Sequence, residues 1–164
     1  MDYKEGVNMK LDENLATLKL NRFMRTESEI LLFEKALKEI YKANDYRIIG
    51  QLIDVLEDET EHFEVMWGII HTIEYLSTNS PYDALKIQVN SIPDNNENCR
   101  EWIDIIHYRI LNHDEYRVTF ATVLKDVNKE VQKREIAILN DIKNEDPEKF
   151  EKKVKEVLTI CIAE

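Results

Sequence analysis

The amino-acid sequence predicts an all-α fold, and three observations support this prediction. The chain of 164 residues contains only three glycines and three prolines, whereas β-rich folds need more turn residues. Charged residues make up 34% of the chain, which favours long helices joined by short turns. Helix-capping signals recur ahead of apolar residues that repeat at spacings of three and four. The simplest organisation is one domain over residues 1–164, with residues 1–10 left outside the fold.

Capping signals and apolar periodicity locate the helices of the first half. Residues 11–24 add a helix ahead of the first capping signal. The capping box TESE, residues 26–29, starts a helix that continues to Asn44. Residues 48–56 form a shorter, almost entirely apolar helix. A further cap, DETE, predicts a helix that begins near Glu61.

The second half repeats these signals. Ser80-Pro81 and Asp146-Pro147 each place a capping residue before a proline, whose missing N–H costs nothing at the first helical position. Three segments between these caps each carry an apolar face: residues 98–112, 115–127 and 129–143.

The eight helices that follow the capping box fall into four consecutive pairs. The first members begin near Glu27, Glu61, Asn98 and Lys129, at intervals of about 31 to 37 residues. Such intervals are typical of stacked antiparallel hairpins in HEAT-like arrays. Only the spacing of elements repeats, without a residue pattern, so an irregular α-superhelical bundle is the alternative.

Composition narrows the classes of function. The net charge of −11 opposes direct binding to nucleic acid or to an anionic membrane, because both need Lys and Arg. It is compatible with a basic protein partner, or with acidity that only maintains solubility. Cys99 and Cys161 lack paired spacing, which indicates reduced thiols. With no signal-peptide pattern and no apolar run of membrane-spanning length, we expect a cytoplasmic protein.

A cluster of acids with no Lys or Arg precedes one of the most apolar segments of the chain, the helix predicted at residues 61–76. Such a cluster is either a solvated helix junction or a surface for a basic partner. Its six members are Asp54, Glu57, Asp58, Glu59, Glu61 and Glu64.

Two charged residues fall on apolar helix faces. At about 100° per residue, Glu74 projects between the apolar side chains of its helix, and Arg109 shares a stripe with Trp102. A buried charge is costly unless it is paired. Because a stacked array places consecutive first helices side by side, we expect Glu74 and Arg109 to meet in or near the core. The alternative is that they line a groove.

A second stripe on residues 61–76 contains Glu64, Gly68, His71 and Tyr75. Glycine inside a helix costs roughly 1 kcal/mol against alanine, so Gly68 is expected to admit a neighbouring group. We expect His71 to be a hydrogen-bonded packing residue. The sequence lacks metal-ligand spacing, a phosphate-binding loop and a nucleophile motif, so we expect neither an enzyme nor a cofactor. An enzyme that uses His71 and Glu74 is one alternative.

Two segments resemble the immunity protein 30 family of bacterial polymorphic-toxin systems. EHFEVMWGIIHTIEYL continues the acidic run into a helix, and EWIDIIHYRILN adds a Trp…RILN block. The resemblance spans roughly residues 28–143. The motif residues, which we interpret as architectural, are Gly68, His71, Glu74, Trp102, Arg109 and Asn112.

The resemblance implies an all-α immunity protein of the bacterial cytoplasm, without catalytic residues or a cofactor. Such a protein binds and neutralises a toxin, for example the C-terminal domain of a contact-dependent growth-inhibition effector, and we expect a 1:1 heterodimer. These toxins are often RNases or DNases with a basic cleft, which the six acids would cover with help from aromatic anchors. The alternative is a helical scaffold or adaptor for a basic partner that is not a toxin. The anchor candidates are Tyr46, Tyr75, Tyr82 and Tyr108.

Overall fold

A computed structural model describes residues 3–162, with side chains from residue 9 onward. Over this range the chain forms nine α-helices and no strand, which confirms the all-α prediction. A short 3₁₀ turn, Tyr46–Ile48, leads into the third helix. The helices are α1 Tyr3–Leu20, α2 Glu27–Ala43, α3 Ile49–Ile53, α4 Phe63–Ser77, α5 Pro81–Ser91, α6 Arg100–Asn112, α7 Asp114–Asp126, α8 Lys129–Glu145 and α9 Pro147–Ile162.

Local signals account for the ends of α2. The Thr26 hydroxyl accepts a hydrogen bond from the backbone N–H of Glu29 at 3.2 Å. The Glu29 carboxylate in turn accepts from the backbone N–H of Arg25 at 2.6 Å, so the box closes one residue before the cap. Asn44 ends the helix in the left-handed conformation, with φ of 50°. A side-chain cap also begins α8, where the side-chain oxygen of Asn128 accepts a hydrogen bond from the backbone N–H of Val131 at 2.9 Å.

Three helices differ from their predicted bounds. The first, predicted over residues 11–24, runs from Tyr3 to Leu20, so residues 3–10 are helical; residues 1–2 lie outside the described residues. The helix predicted over residues 48–56 ends at Ile53. The DETE segment does not cap α4, which begins at Phe63 after His62. Instead, the backbone N–H of Glu61 donates to the carbonyl of Phe23 at 2.9 Å, which holds the chain in a turn.

The described chain divides into two compact units, the first ending at Asn79 and the second beginning at Ser80. In the first unit α1 packs on α2, and α2 and α3 both pack on α4. Leu37 of α2 contacts Gly68 of α4. Tyr41, four residues later in α2, stacks on Tyr75, seven residues later in α4, so the two helices run in the same direction. The predicted pairing places α2 against α3. In the structure α2 instead packs on α1, as well as on α4.

The second unit shows the predicted stacking more regularly. Helices α6 and α7 pack as one pair, and α8 and α9 as the next. The second members follow one another, with α5 on α7 and α7 on α9, while α6 lies against α8. Fully buried side chains fill its core, among them Trp102, Phe120, Leu139 and Val154. A single domain for the whole chain stays a prediction. Among the described residues, no helix has the length and apolar character that crossing a bilayer requires.

A buried polar pair ties α6 to α8. His107 and Glu135 are 1% and 0% exposed. The Nδ1 atom of His107 lies 2.7 Å from the carbonyl of Ile103, and its Nε2 atom lies 2.9 Å from the Glu135 carboxylate. Burial opposes the charged imidazole, but the hydrogen bond and the charge of Glu135 outweigh it and raise the pKa of His107.

Candidate partner-binding surface

The acids of residues 54–64 do not form one surface. Asp54 is exposed at the end of α3, where its carboxylate pairs with the ammonium group of Lys19. Asp58 is half-buried. A partner-binding role for these two residues stays a prediction, and the charge of Asp54 is already matched within the molecule.

Glu57, which we predicted for the partner surface, is a buried residue. It is only 5% exposed. Its carboxylate accepts a hydrogen bond from Nε of Arg22 and another from the backbone N–H of Glu59, both at 3.3 Å. The turn after α3 directs this side chain inward, where Arg22 compensates its charge. Glu57 therefore holds the turn in place.

The remaining carboxylates point to solvent, and we call Glu59, Glu61 and Glu64 the acidic rim. Glu59 and Glu61 are exposed and have no ion-pair partner in the part of the chain that the structure describes. The Glu64 side chain is 75% exposed, and its carboxylate lies 3.1 Å from Nδ1 of His62. Hydrogen bonds from its own backbone N–H and with the His62 side chain lower the pKa of Glu64, so it is ionised at neutral pH.

A groove of about 550 Å³ lies between α2 and α4, beside the acidic rim. Gly68 forms part of its floor, and a Cβ atom there would lie 2.7 Å from Cδ2 of Leu37. Gly68 thus admits a side chain of α2, as predicted. We call this feature the α2–α4 groove; its lining residues are Glu34, Leu37, Lys38, Tyr41, Glu64, Val65, Gly68, His71 and Thr72.

Two tyrosines stack at one end of the groove. The ring centroids of Tyr41 and Tyr75 are 3.9 Å apart, with an interplanar angle of 17°. The residues are nevertheless 44% and 37% exposed, and neither hydroxyl has a hydrogen-bond partner among the described residues. Sequence reasoning identified Tyr75 but missed Tyr41. The sequence pattern that could have indicated Tyr41 is its position on the polar stripe of α2, seven residues after Glu34 and three after Lys38.

His71 is not the hydrogen-bonded packing residue that we expected. It is exposed on the groove side of α4, and its ring centroid lies 5.7 Å from that of Trp67. It forms no hydrogen bond within the described part of the chain. The four residues of the second stripe do lie together as predicted: Glu64, Gly68 and His71 line the groove, and Tyr75 stacks at its end.

The other aromatic candidates lie outside the α2–α4 groove. In the second unit, the hydroxyl of Tyr82 donates to the carboxylate of Asp126, which raises the pKa of Tyr82. Tyr108 is half-buried and stacks on Phe150, with centroids 5.1 Å apart. Tyr46 is half-buried in the 3₁₀ turn. A partner-binding role for Tyr82 stays a prediction.

The remaining motif residues have different surroundings. Trp102 is fully buried in α6, as expected of an architectural residue. The side-chain oxygen of Asn112 accepts a hydrogen bond from Lys153, which links the end of α6 to α9. Arg109 is exposed, so its apolar stripe does not bury it, and Glu74 is half-buried. A pairing of Glu74 with Arg109 stays a prediction.

Comparison with known proteins places these features in a family. A search of the curated proteins finds no match to the chain, and a search of the solved structures finds none either. The family model of immunity protein 30 matches residues 20–120. This match covers more than half of the chain, including α2, α4, the acidic rim and the Trp102 helix. The chain therefore belongs to the immunity protein 30 family.

Proposed function

We propose that this protein binds a cognate toxin domain in the cytoplasm of the producing bacterium and neutralises it as a 1:1 heterodimer. We further propose that the toxin is a nuclease whose basic active-site region faces the acidic rim. The observation that carries this proposal is the set of exposed carboxylates at Glu59, Glu61 and Glu64, in a stretch without Lys or Arg. Family membership supplies the toxin as the class of partner.

Electrostatics explains why such a rim suits this partner. A nuclease holds a polyanionic substrate, so its cleft is positively charged. Exposed carboxylates are attracted to such a cleft and accelerate encounter, while a like-charged protein is repelled. The paired Asp54 and the buried Glu57 contribute much less to this field, because Lys19 and Arg22 compensate their charges.

A protection assay tests the neutralising function. The C-terminal domain of the protein encoded directly upstream is expressed alone and together with this chain, and growth and the integrity of RNA and DNA are followed. We expect growth arrest and nucleic-acid degradation that co-expression of this chain abolishes, with the two proteins co-purifying. A harmless neighbour, or killing despite this chain, would refute immunity for this pair and favour a scaffold. Growth arrest with intact nucleic acid would refute the nuclease.

A charge-reversal variant tests the acidic rim. We expect Glu59→Lys, Glu61→Lys and Glu64→Lys together to slow association with the toxin domain about tenfold or more at low salt. The salt dependence of the association rate should also flatten. The matched control reverses three exposed acids of the second unit, at Glu97, Glu130 and Glu151, with the same change in net charge. Equal effects of the two variants would show that overall charge, and not the rim, steers the partner.

A further inference from the structure

We infer that the toxin domain extends past the acidic rim into the α2–α4 groove, where a basic segment packs one of its side chains on the stacked rings of Tyr41 and Tyr75. This inference rests on the proposed function and deepens it. It names a second part of the contact surface and the kind of segment that occupies it. It also assigns Tyr41, which lies outside the acidic cluster, to the proposed interface.

The stacked tyrosines have the properties of an interface anchor. Each ring uses one face against the other at 3.9 Å, yet about two-fifths of each residue is exposed. Neither hydroxyl has a hydrogen-bond partner among the described residues, so both can bond to another molecule. Tyrosine provides a large contact area and loses little conformational entropy on binding, and it is enriched among residues that dominate binding energy. Here the rings already hold each other in place, which lowers the entropy loss further.

The charges of the groove select a basic occupant. Glu34 of α2 and Glu64 of α4 both line it, and both are exposed. Glu34 has no ion-pair partner in the described part of the chain. Lys38 is the one lysine or arginine among the lining residues. A segment that carries cations opposite Glu34 and Glu64 is therefore attracted, whereas an acidic segment is repelled.

The groove and the acidic rim share Glu64. A partner that contacts this end of the rim is thus already at the groove. The Leu37 side chain fills the space beside Gly68. The hydroxyl of Thr72 donates to the carbonyl of Gly68 at 2.7 Å, so this hydroxyl is already satisfied within the groove.

Tyrosine substitutions test the anchor, with the purified upstream-encoded C-terminal domain as the probe. We expect Tyr41→Ala with Tyr75→Ala to weaken binding about 30-fold. Tyr41→Phe with Tyr75→Phe keeps the stacked rings, so its affinity should stay within about threefold of wild type. Leu20→Ala is the control for truncation of an exposed apolar side chain, since Leu20 is 82% exposed and does not line the groove.

Each outcome separates the two proposals. If the wild-type chain does not bind the domain, the proposed function fails and the groove proposal fails with it. If the wild type binds and the double-alanine variant binds equally well, only the groove proposal is overturned. A footprint on the wild-type chain gives the same answer without a variant: hydroxyl-radical oxidation of Tyr41 and Tyr75 should fall several-fold in the complex. Unchanged oxidation of both rings would also overturn the groove proposal.

Discussion

His107 and Glu135 show how one buried contact can make stability depend on pH. The carbonyl of Ile103 can only accept a hydrogen bond, so Nδ1 of His107 must donate to it. A proton on Nε2 then makes the imidazole positively charged, opposite the carboxylate at 2.9 Å. The raised pKa of His107 means that the folded protein keeps this second proton to a higher pH than the unfolded chain does.

Replacement of Glu135 by glutamine should remove this pH dependence. In the wild type the stability that the charged His107–Glu135 pair contributes is fully present below about pH 6.5, the ordinary pKa of histidine. It is lost as the pH rises through the raised pKa of His107. The free energy of unfolding should therefore fall over that window by up to about 1.4 kcal/mol per pH unit. In the variant an amide can donate to neutral Nε2, and this part of the slope disappears.

Urea unfolding at a series of pH values from about 6 to about 9 measures the slope. Glu130→Gln is the control, because Glu130 is an exposed acid on the same helix and its variant should keep the wild-type slope. Identical slopes for the wild type and Glu135→Gln would contradict the assignment of the second proton to this pair.

The contact between Gly68 and Leu37 predicts a coupled effect on stability. Alanine at position 68 gains about 1 kcal/mol of helix propensity over glycine, but its Cβ would lie 2.7 Å from Cδ2 of Leu37, which must move. Gly68→Ala should therefore stabilise the wild type by less than it stabilises a Leu37→Ala variant. A double-mutant cycle measured by denaturant unfolding tests this coupling. The same change in both backgrounds would show that the close approach has no energetic consequence.

At the scale of elements, the start of α2 depends on one hydroxyl. Thr26→Ala removes the acceptor for the N–H of Glu29 and should cost about 1 kcal/mol of stability. Ser28→Ala is the matched control, since Ser28 is exposed in the first turn and its hydroxyl caps nothing. It should be neutral or slightly stabilising, because alanine is the better helix former. Equal destabilisation by the two substitutions would contradict the capping role of Thr26.

At the scale of the whole molecule, the net charge of −11 sets the strength of the attraction that we propose toward a basic toxin, and the salt concentration sets its range. The screening length falls from about 30 Å at 0.01 M salt to about 3 Å at 1 M. The association rate constant with the toxin domain should fall about tenfold or more across this range, while the dissociation rate constant changes less. Stopped-flow mixing measures the first rate constant and competitive displacement the second. An association rate independent of salt would remove long-range steering from the mechanism.

The sequence by itself determined the fold class and most helix boundaries. The cap at Thr26, the prolines that begin α5 and α9, and the apolar repeats behind them are signals read within a few residues of chain. The same holds for Gly68, whose place inside a helix indicated a close neighbour. Local sequence determines these features because hydrogen bonds to nearby backbone groups and a 3.6-residue period need no information from distant segments.

Only the tertiary structure decided which acids and aromatics are exposed. Glu57 and Glu59 are two residues apart in one acidic run, yet Arg22, 35 residues before Glu57, stabilises Glu57 in a buried position while Glu59 stays in solvent. Tyr41 and Tyr75 stack because α2 and α4 run side by side, a packing that neither helix encodes alone. Such pairs depend on how whole helices dock. Charge and residue type in the sequence could therefore indicate candidate surface residues. Only the packing of the helices could separate the exposed candidates from the buried ones.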